Sequence, residues 1–183
     1  MAISLYDVSV GGFLQTLAGV AGFLEKGRAH FADKPGALEE IVQSRLWEDM
    51  FPFRFQVISV VHHSQGAIEG VKKGTFSPRM DGPHDYAGLQ QLVADARAAL
   101  KAVTREEIEA LEGKDMFFEF RDVKLPFTAE NFLMSFSIPN LQFHATTAYD
   151  LLRMKGVPIG KRDFTGPMRI KKLTKQIHDE MRK

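Results

Sequence analysis

Cysteine is absent from this 183-residue chain. That excludes disulfides, thiolate nucleophiles and cysteine-ligated zinc, and it suits a reducing compartment. Excess charge of either sign is missing too: 24 Lys and Arg stand against 23 Asp and Glu, a formal net charge of +1. No global field draws such a chain to nucleic acid or to an anionic membrane. No stretch approaches the roughly 20 apolar residues that cross a bilayer. The amino terminus, Met1-Ala2-Ile3-Ser4-Leu5-Tyr6-Asp7, has no basic run ahead of an apolar one and does not read as a secretory signal. The expected location is the cytoplasm, with neither membrane nor nucleic acid as partner. Tryptophan occurs once and tyrosine three times, against 15 phenylalanines. That points to an aromatic core and, alone, to no function. Paired carboxylates, a Ser-His-Asp set and a glycine-rich dinucleotide loop do not stand out.

Four long segments carry apolar residues at helical spacing. The first covers 5–31 through Val10, Leu14, Leu17, Ala21, Leu24 and Phe31. Gly11, Gly12, Gly19 and Gly22 weaken it by up to about 1 kcal/mol each relative to alanine, and permit close helix contact. A short helix over 37–46 follows. The second long helix, 52–73, carries the stripe Phe53, Val57, Val60, Ser64, Ala67, Ile68 and Val71; Pro52 suits its first turn and Gly74 its end. The third opens at Asp85 or Gly82 and runs through Tyr86, Leu89, Val93, Ala96, Leu100 and Val103. Thr104, ahead of Glu106 and Glu107, caps a short element over 105–111. Residues 116–120 and 123–127 read as a hairpin turning at Arg121-Asp122. The last long helix spans 128–155, and Pro139 should kink it or move its start to Ile138. Gly156 and Pro158 stop it.

The pattern predicts an all-α fold: a four-helix bundle with short extra helices and one short β-hairpin, a single domain over 1–166. Residues 167–183 form a basic amphipathic helix, with Ile170, Leu173, Ile177 and Met181 at helical spacing among Arg169, Lys171, Lys172 and Lys175. Such a tail could capture an acidic partner; the plainer use is packing on the bundle or on a second subunit.

Asn140, His144 and Thr147, at spacings of four and three, share one helix face with Leu133, Phe136 and Leu151. A buried amide, imidazole and hydroxyl each cost free energy unless hydrogen-bonded or bound to something. Gln56 and His63 flank the stripe of the second helix. A polar pocket lined by Gln56, His63, Asn140, His144 and Tyr149 is therefore the candidate ligand site. His63 and His144, arriving from two helices, could hold a divalent metal such as Zn or Ni, or serve as a general base. The plainer alternative is a buried hydrogen-bonded network that sets helix register, because a catalytic metal usually takes three protein ligands. His62 should point about 100° away from His63, towards solvent. His30, His84 and His178 carry no assigned role. Arg45 with Asp49, and Arg162 with Asp163, could clamp an anion or tie down irregular backbone. Gly156-x-x-x-Gly160-Lys161-Arg162 lacks the strand, helix and hydroxyl of a phosphate loop.

Three stretches together resemble a known family: Ser4-Leu5-Tyr6-Asp7; Asp49-Met50-Phe51-Pro52 with Gln56; and Asn140-Leu141-Gln142-Phe143-His144-Ala145-Thr146-Thr147-Ala148-Tyr149. Gly156-Val157-Pro158-Ile159-Gly160-Lys161-Arg162-Asp163-Phe164 completes the likeness. The family is an uncharacterised bacterial domain of unknown function, grouped with the DinB/YfiT-like metalloenzymes. The resemblance implies an up-down-down-up four-helix bundle, often a homodimer. It also implies a divalent metal held by one histidine of the second helix and a His-x-x-x-His pair on a later one, and in some members thiol-using transferase or isomerase activity. This chain departs from that pattern. If His144 is the second member of the pair, the first is Asn140; if it is the first, the second is Ala148. The second-helix position falls on Gln56 or on His63. The leading expectation is a small ligand or a weakly held divalent metal in the pocket. The alternatives are a metal-dependent, thiol-using transferase or isomerase, and an interaction module working through the basic tail.

Overall fold

A computed structural model describes residues 3–78 and 82–170 of the chain. Ser4 opens the first helix, α1 (Leu5–Val8), by accepting a hydrogen bond from the Asp7 amide. The helix does not run unbroken to 31. Ser9 leaves helical geometry, its hydroxyl donating to the Leu5 carbonyl at 2.6 Å, and α2 (Val10–His30) starts beyond it. By length and composition alone, Leu5–His30 could cross a membrane, its most apolar 18-residue window having a mean hydropathy of 1.3, contrary to the expectation that no stretch would be so apolar. Its inner face, from Val10 and Phe13 to Phe23 and Leu24, is buried in the protein core.

The short helix α3 (Ala37–Gln43) ends earlier than 46 because Ser44 turns extended. Arg45 then donates to the Met50 carbonyl, a tie across irregular backbone. The second long segment is one rod in three parts: α4 (Phe53–Val61), a π-helical turn at His62–Gly66, and α5 (Ala67–Lys73). Gly74 closes it at φ +82°, a conformation that costs a Cβ-bearing residue energy. Strand β1 (Thr75–Phe76) follows. Asp85 caps α6 (Tyr86–Ala102), accepting from the Gly88 amide at 2.7 Å. Thr104 and Glu107 close a reciprocal capping box on α7 (Arg105–Glu109).

The hairpin forms as β2 (Asp115–Phe120) and β3 (Val123–Thr128), antiparallel, with Arg121 at φ 52° in the turn. A partner that periodicity did not announce joins it: β1 lies parallel to β2, with Thr75 opposite Phe117. The last long segment is again a rod with a π-helical turn inside it: α8 (Ala129–Asn131), the turn Phe132–Ser137, then α9 (Ile138–Met154). Pro139 sits in the first turn of α9, where the wider turn before it accommodates the missing N–H. A short α10 (Lys161–Thr165) ends the domain.

The architecture is mainly helical, and the small three-stranded sheet corrects the all-α reading. Helix α2 packs on α6 and α9, and α4 packs on α9 and α6. Their apolar stripes meet in one core that contains Phe13, Phe23, Phe53, Leu89, Val93, Leu141 and Leu151. The sheet adds Phe76 and Met116 to that core. Helix α10 lies against α2 at Gly19, where a Cβ would sit 2.3 Å from the Phe164 carbonyl oxygen. Residues 167–170 are not helical, and the rest of the predicted C-terminal helix lies outside the described residues.

Candidate functional site

Gln56 of α4 and His144 of α9 meet across the helix pair. The Gln56 side chain is 2% exposed, and its Nε2 donates to the Phe51 carbonyl at 2.8 Å. That bond sets which end of the amide is nitrogen, so Oε1 is the acceptor that lies 2.8 Å from His144 Nδ1. His144 Nδ1 therefore carries the proton, and Nε2 keeps its lone pair. A loop carbonyl thus orients an amide, and the amide fixes an imidazole tautomer.

His63 enters from the π-helical turn of the second rod. Its ring lies 5.8 Å from that of His144, tilted by 13°. His63 Nδ1 is buried without a hydrogen-bond partner in the described structure. Burial pushes the His63 imidazole down to about 3, helped by His62 and His144, and burial alone pushes His144 down to about 4. Both rings are neutral at physiological pH.

A cavity of about 200 Å³ opens beside these two rings and Asn140. Phe55, Phe76, Phe118 and Phe136 wall it, with Ser59 and Pro78 at its edge. Among the described residues, Asp, Glu, Lys and Arg are absent from its lining. Both π-helical turns border it, supplying His62 and His63 from one and Phe136 from the other. Such turns are rare, and they recur at functional sites.

The predicted site residues do not all gather here. Gln56, His63, Asn140 and His144 come together. Tyr149 does not: it lines a separate cavity with Lys161 and Phe164, and its hydroxyl donates to the Ile159 carbonyl at 3.3 Å. Asn140 Nδ2 donates back to the Phe136 carbonyl at 2.8 Å, and Thr147 Oγ1 to the Phe143 carbonyl at 2.9 Å. Of the three polar residues on the stripe, His144 is the one that bonds across to the second rod. His62 corrects the solvent-facing expectation: half-buried, it stacks 4.2 Å from Phe76 and donates from Nε2 to the Ser77 carbonyl at 2.9 Å. Asp163 pairs with Lys26 of α2 at 2.6 Å and accepts from the Gly160 amide, so it fastens α10 to α2 and caps it.

The sequence reading missed the phenylalanine wall. Phe136 was placed on the stripe, four residues before Asn140, but not in the pocket. Phe76 and Phe118 could not be found, because the parallel β1–β2 pairing brings them there. A tight three-ligand metal centre does not match this donor set. Gln56 Oε1 already accepts from His144, and no group of three or more His, Asp or Glu is arranged to hold a metal ion among the described residues.

Fold and site together define a helical domain with a histidine-bearing cavity between two of its long rods and a small sheet over one side. The model of the family described as Domain of unknown function (DUF1993) matches residues 5–165, and the chain belongs to that family. A crystal structure of a DinB family member protein from Shewanella denitrificans is similar, with 27% identity and a TM-score of 0.73, covering 91% of this chain and 94% of that one. The resemblance seen in the sequence to an uncharacterised DinB-like family is thus borne out. No curated protein matches the chain.

Proposed function

We propose that this protein binds a small, flat, uncharged ligand in the cavity beside His144, held by a hydrogen bond to His144 Nε2 and by packing on the phenylalanine wall. The observation that carries this is the pair of neutral imidazoles lining the cavity, with His144 Nδ1 committed to Gln56 so that its Nε2 is the acceptor. A charged ligand would be desolvated without a compensating charge. The proposed setting is a cytoplasmic protein whose helices α2, α4, α6 and α9 form an up-down-down-up bundle. A homodimer is the proposed assembly, supported by apolar side chains left in water: Trp47 at 69%, Phe51 at 58% and Phe143 at 57% exposure.

Phenol and benzoate are matched probes, both flat and differing in charge. Calorimetric titration of the untagged protein should show saturable phenol binding, weakened at least about tenfold in His144→Ala, and negligible benzoate binding. Phenol affinity that ignores the substitution, or a preference for benzoate, refutes the proposal.

The two neutral imidazoles also support a second occupant, a weakly held divalent cation such as Zn or Ni. Elemental analysis of untagged protein tests it: stoichiometric metal lost in His144→Ala supports the cation, and metal that survives the substitution removes His144 as a ligand.

A further inference from the structure

A second groove, distant in sequence from the histidines, runs between α2 and α6 and is bordered by residues 167–169. Its volume is about 410 Å³, within the range of small-molecule pockets. Leu14 and Ala18 of α2 and the segment Pro167–Met168 make it apolar. Three cations stand at it: Arg97 and Lys101 from α6, and Arg169 from the chain beyond α10. No acidic side chain lines it among the described residues.

Among the described residues Arg97 and Lys101 form no ion pair, whereas Arg169 stands near enough to Asp7 to help hold its carboxyl down. Arg97 Nε is buried without a hydrogen-bond partner in the described structure. Lys101 follows Arg97 by four residues, so the two like charges share one face of α6 and repel. Arg169 reaches over Gly11, where a Cβ would lie 2.7 Å from its Nη1, and donates to the Asp7 backbone carbonyl at 3.1 Å. The Asp7 carboxylate itself is taken up by Arg105, at 2.7 and 3.0 Å. A guanidinium at an apolar wall with no carboxylate beside it is suited to an anion, and the greasy floor next to it to an aliphatic tail.

We propose that this groove binds an anionic amphiphile, a single aliphatic chain ending in a carboxylate or phosphate that pairs with Arg97 and Lys101. The ligand chemistry differs from that proposed for the histidine cavity, and the two sites stand or fall separately.

Calorimetry of the full-length protein with decanoate, below its micellar concentration, tests the assignment. Saturable one-site binding is expected, with decanol at least about tenfold weaker. Arg97→Gln should lose at least about tenfold in decanoate affinity, Arg97→Lys should lose less, and the exposed Lys101→Gln should weaken it in the same direction. His144→Ala should leave it unchanged. Decyl phosphate against decanoate tells which head group the cations prefer, and tighter binding of either than of decanol supports the anion site. Three results each overturn it: no saturable decanoate binding by the wild-type chain, decanol binding as tightly as decanoate, or unchanged affinity in both Arg97→Gln and Lys101→Gln when circular dichroism shows them folded.

Discussion

Acid should weaken this fold between pH 7 and pH 5 through two side chains. His63 and His144 are held neutral down to about 3 and about 4, whereas an imidazole in the unfolded chain takes a proton near 6.5. Below pH 6.5 the unfolded state therefore binds protons that the folded state refuses. Stability is complete above about pH 7, falls as pH drops through 6.5, and goes on falling until the folded rings protonate. At pH 5 each unfolded imidazole gains about 1.5 pK units of protonation free energy, or about 2 kcal/mol at 1.36 kcal/mol per unit. The two together come to less than about 4 kcal/mol, because water reaches part of the half-buried His144 ring and discounts its share. That is a large fraction of the 5–15 kcal/mol typical of a domain. Neither ring protonates in the folded protein over this interval, so their mutual repulsion does not enter. Most carboxylates titrate lower. Urea unfolding at several pH values, followed by circular dichroism, reads the effect directly. Wild type should lose stability with a slope approaching two protons between pH 6 and 5 from these residues, and His144→Gln should remove about one of them. The variant's own stability loss does not matter, because the slope is compared. An unchanged slope in His144→Gln would refute the claim that His144 is held neutral by burial.

Gln56→Leu should cost about 1–3 kcal/mol, since it leaves His144 Nδ1–H and the Phe51 carbonyl without partners, and nitrogen NMR should show the His144 tautomer released. Gly19→Ala should cost about 1–3 kcal/mol in urea, because the new methyl meets the Phe164 backbone, which cannot rotate away; Gly22→Ala, with open space around it, should cost nothing or stabilise. Thr104→Ala removes one arm of the capping box on α7 and should lower the thermal midpoint by an amount equivalent to about 1 kcal/mol.

Much of the scaffold was legible because its causes are local. Asp85, Thr104, Gly74 and Gly156 mark helix ends through the backbone they cap or permit, whatever lies around them. The apolar stripes of α2, α4, α6 and α9 follow from a period of 3.6 and needed no partner to be seen. The hairpin was visible in the run of Phe, Val and Leu on either side of Arg121-Asp122. The site was legible in part. A histidine inside an apolar stripe, with a glutamine flanking another, pointed to the pair that bonds at 2.8 Å. Asn140 and Thr147 carried the same signal, yet each turns back to its own helix, an outcome that spacing does not distinguish.

The amino-acid sequence by itself determined the long helices, their caps, the hairpin and the helix face on which His144 lies, since each depends on neighbours within a few residues. Tertiary structure alone decided that Gln56 orients His144, that His62 lies on Phe76, that Tyr149 belongs elsewhere, and that β1 joins β2. Each π-helical turn adds a residue to its rod, and at roughly 100° per residue it rotates everything beyond it relative to everything before. A count along the chain cannot register that rotation; only packing of the rods and the sheet against one another sets it.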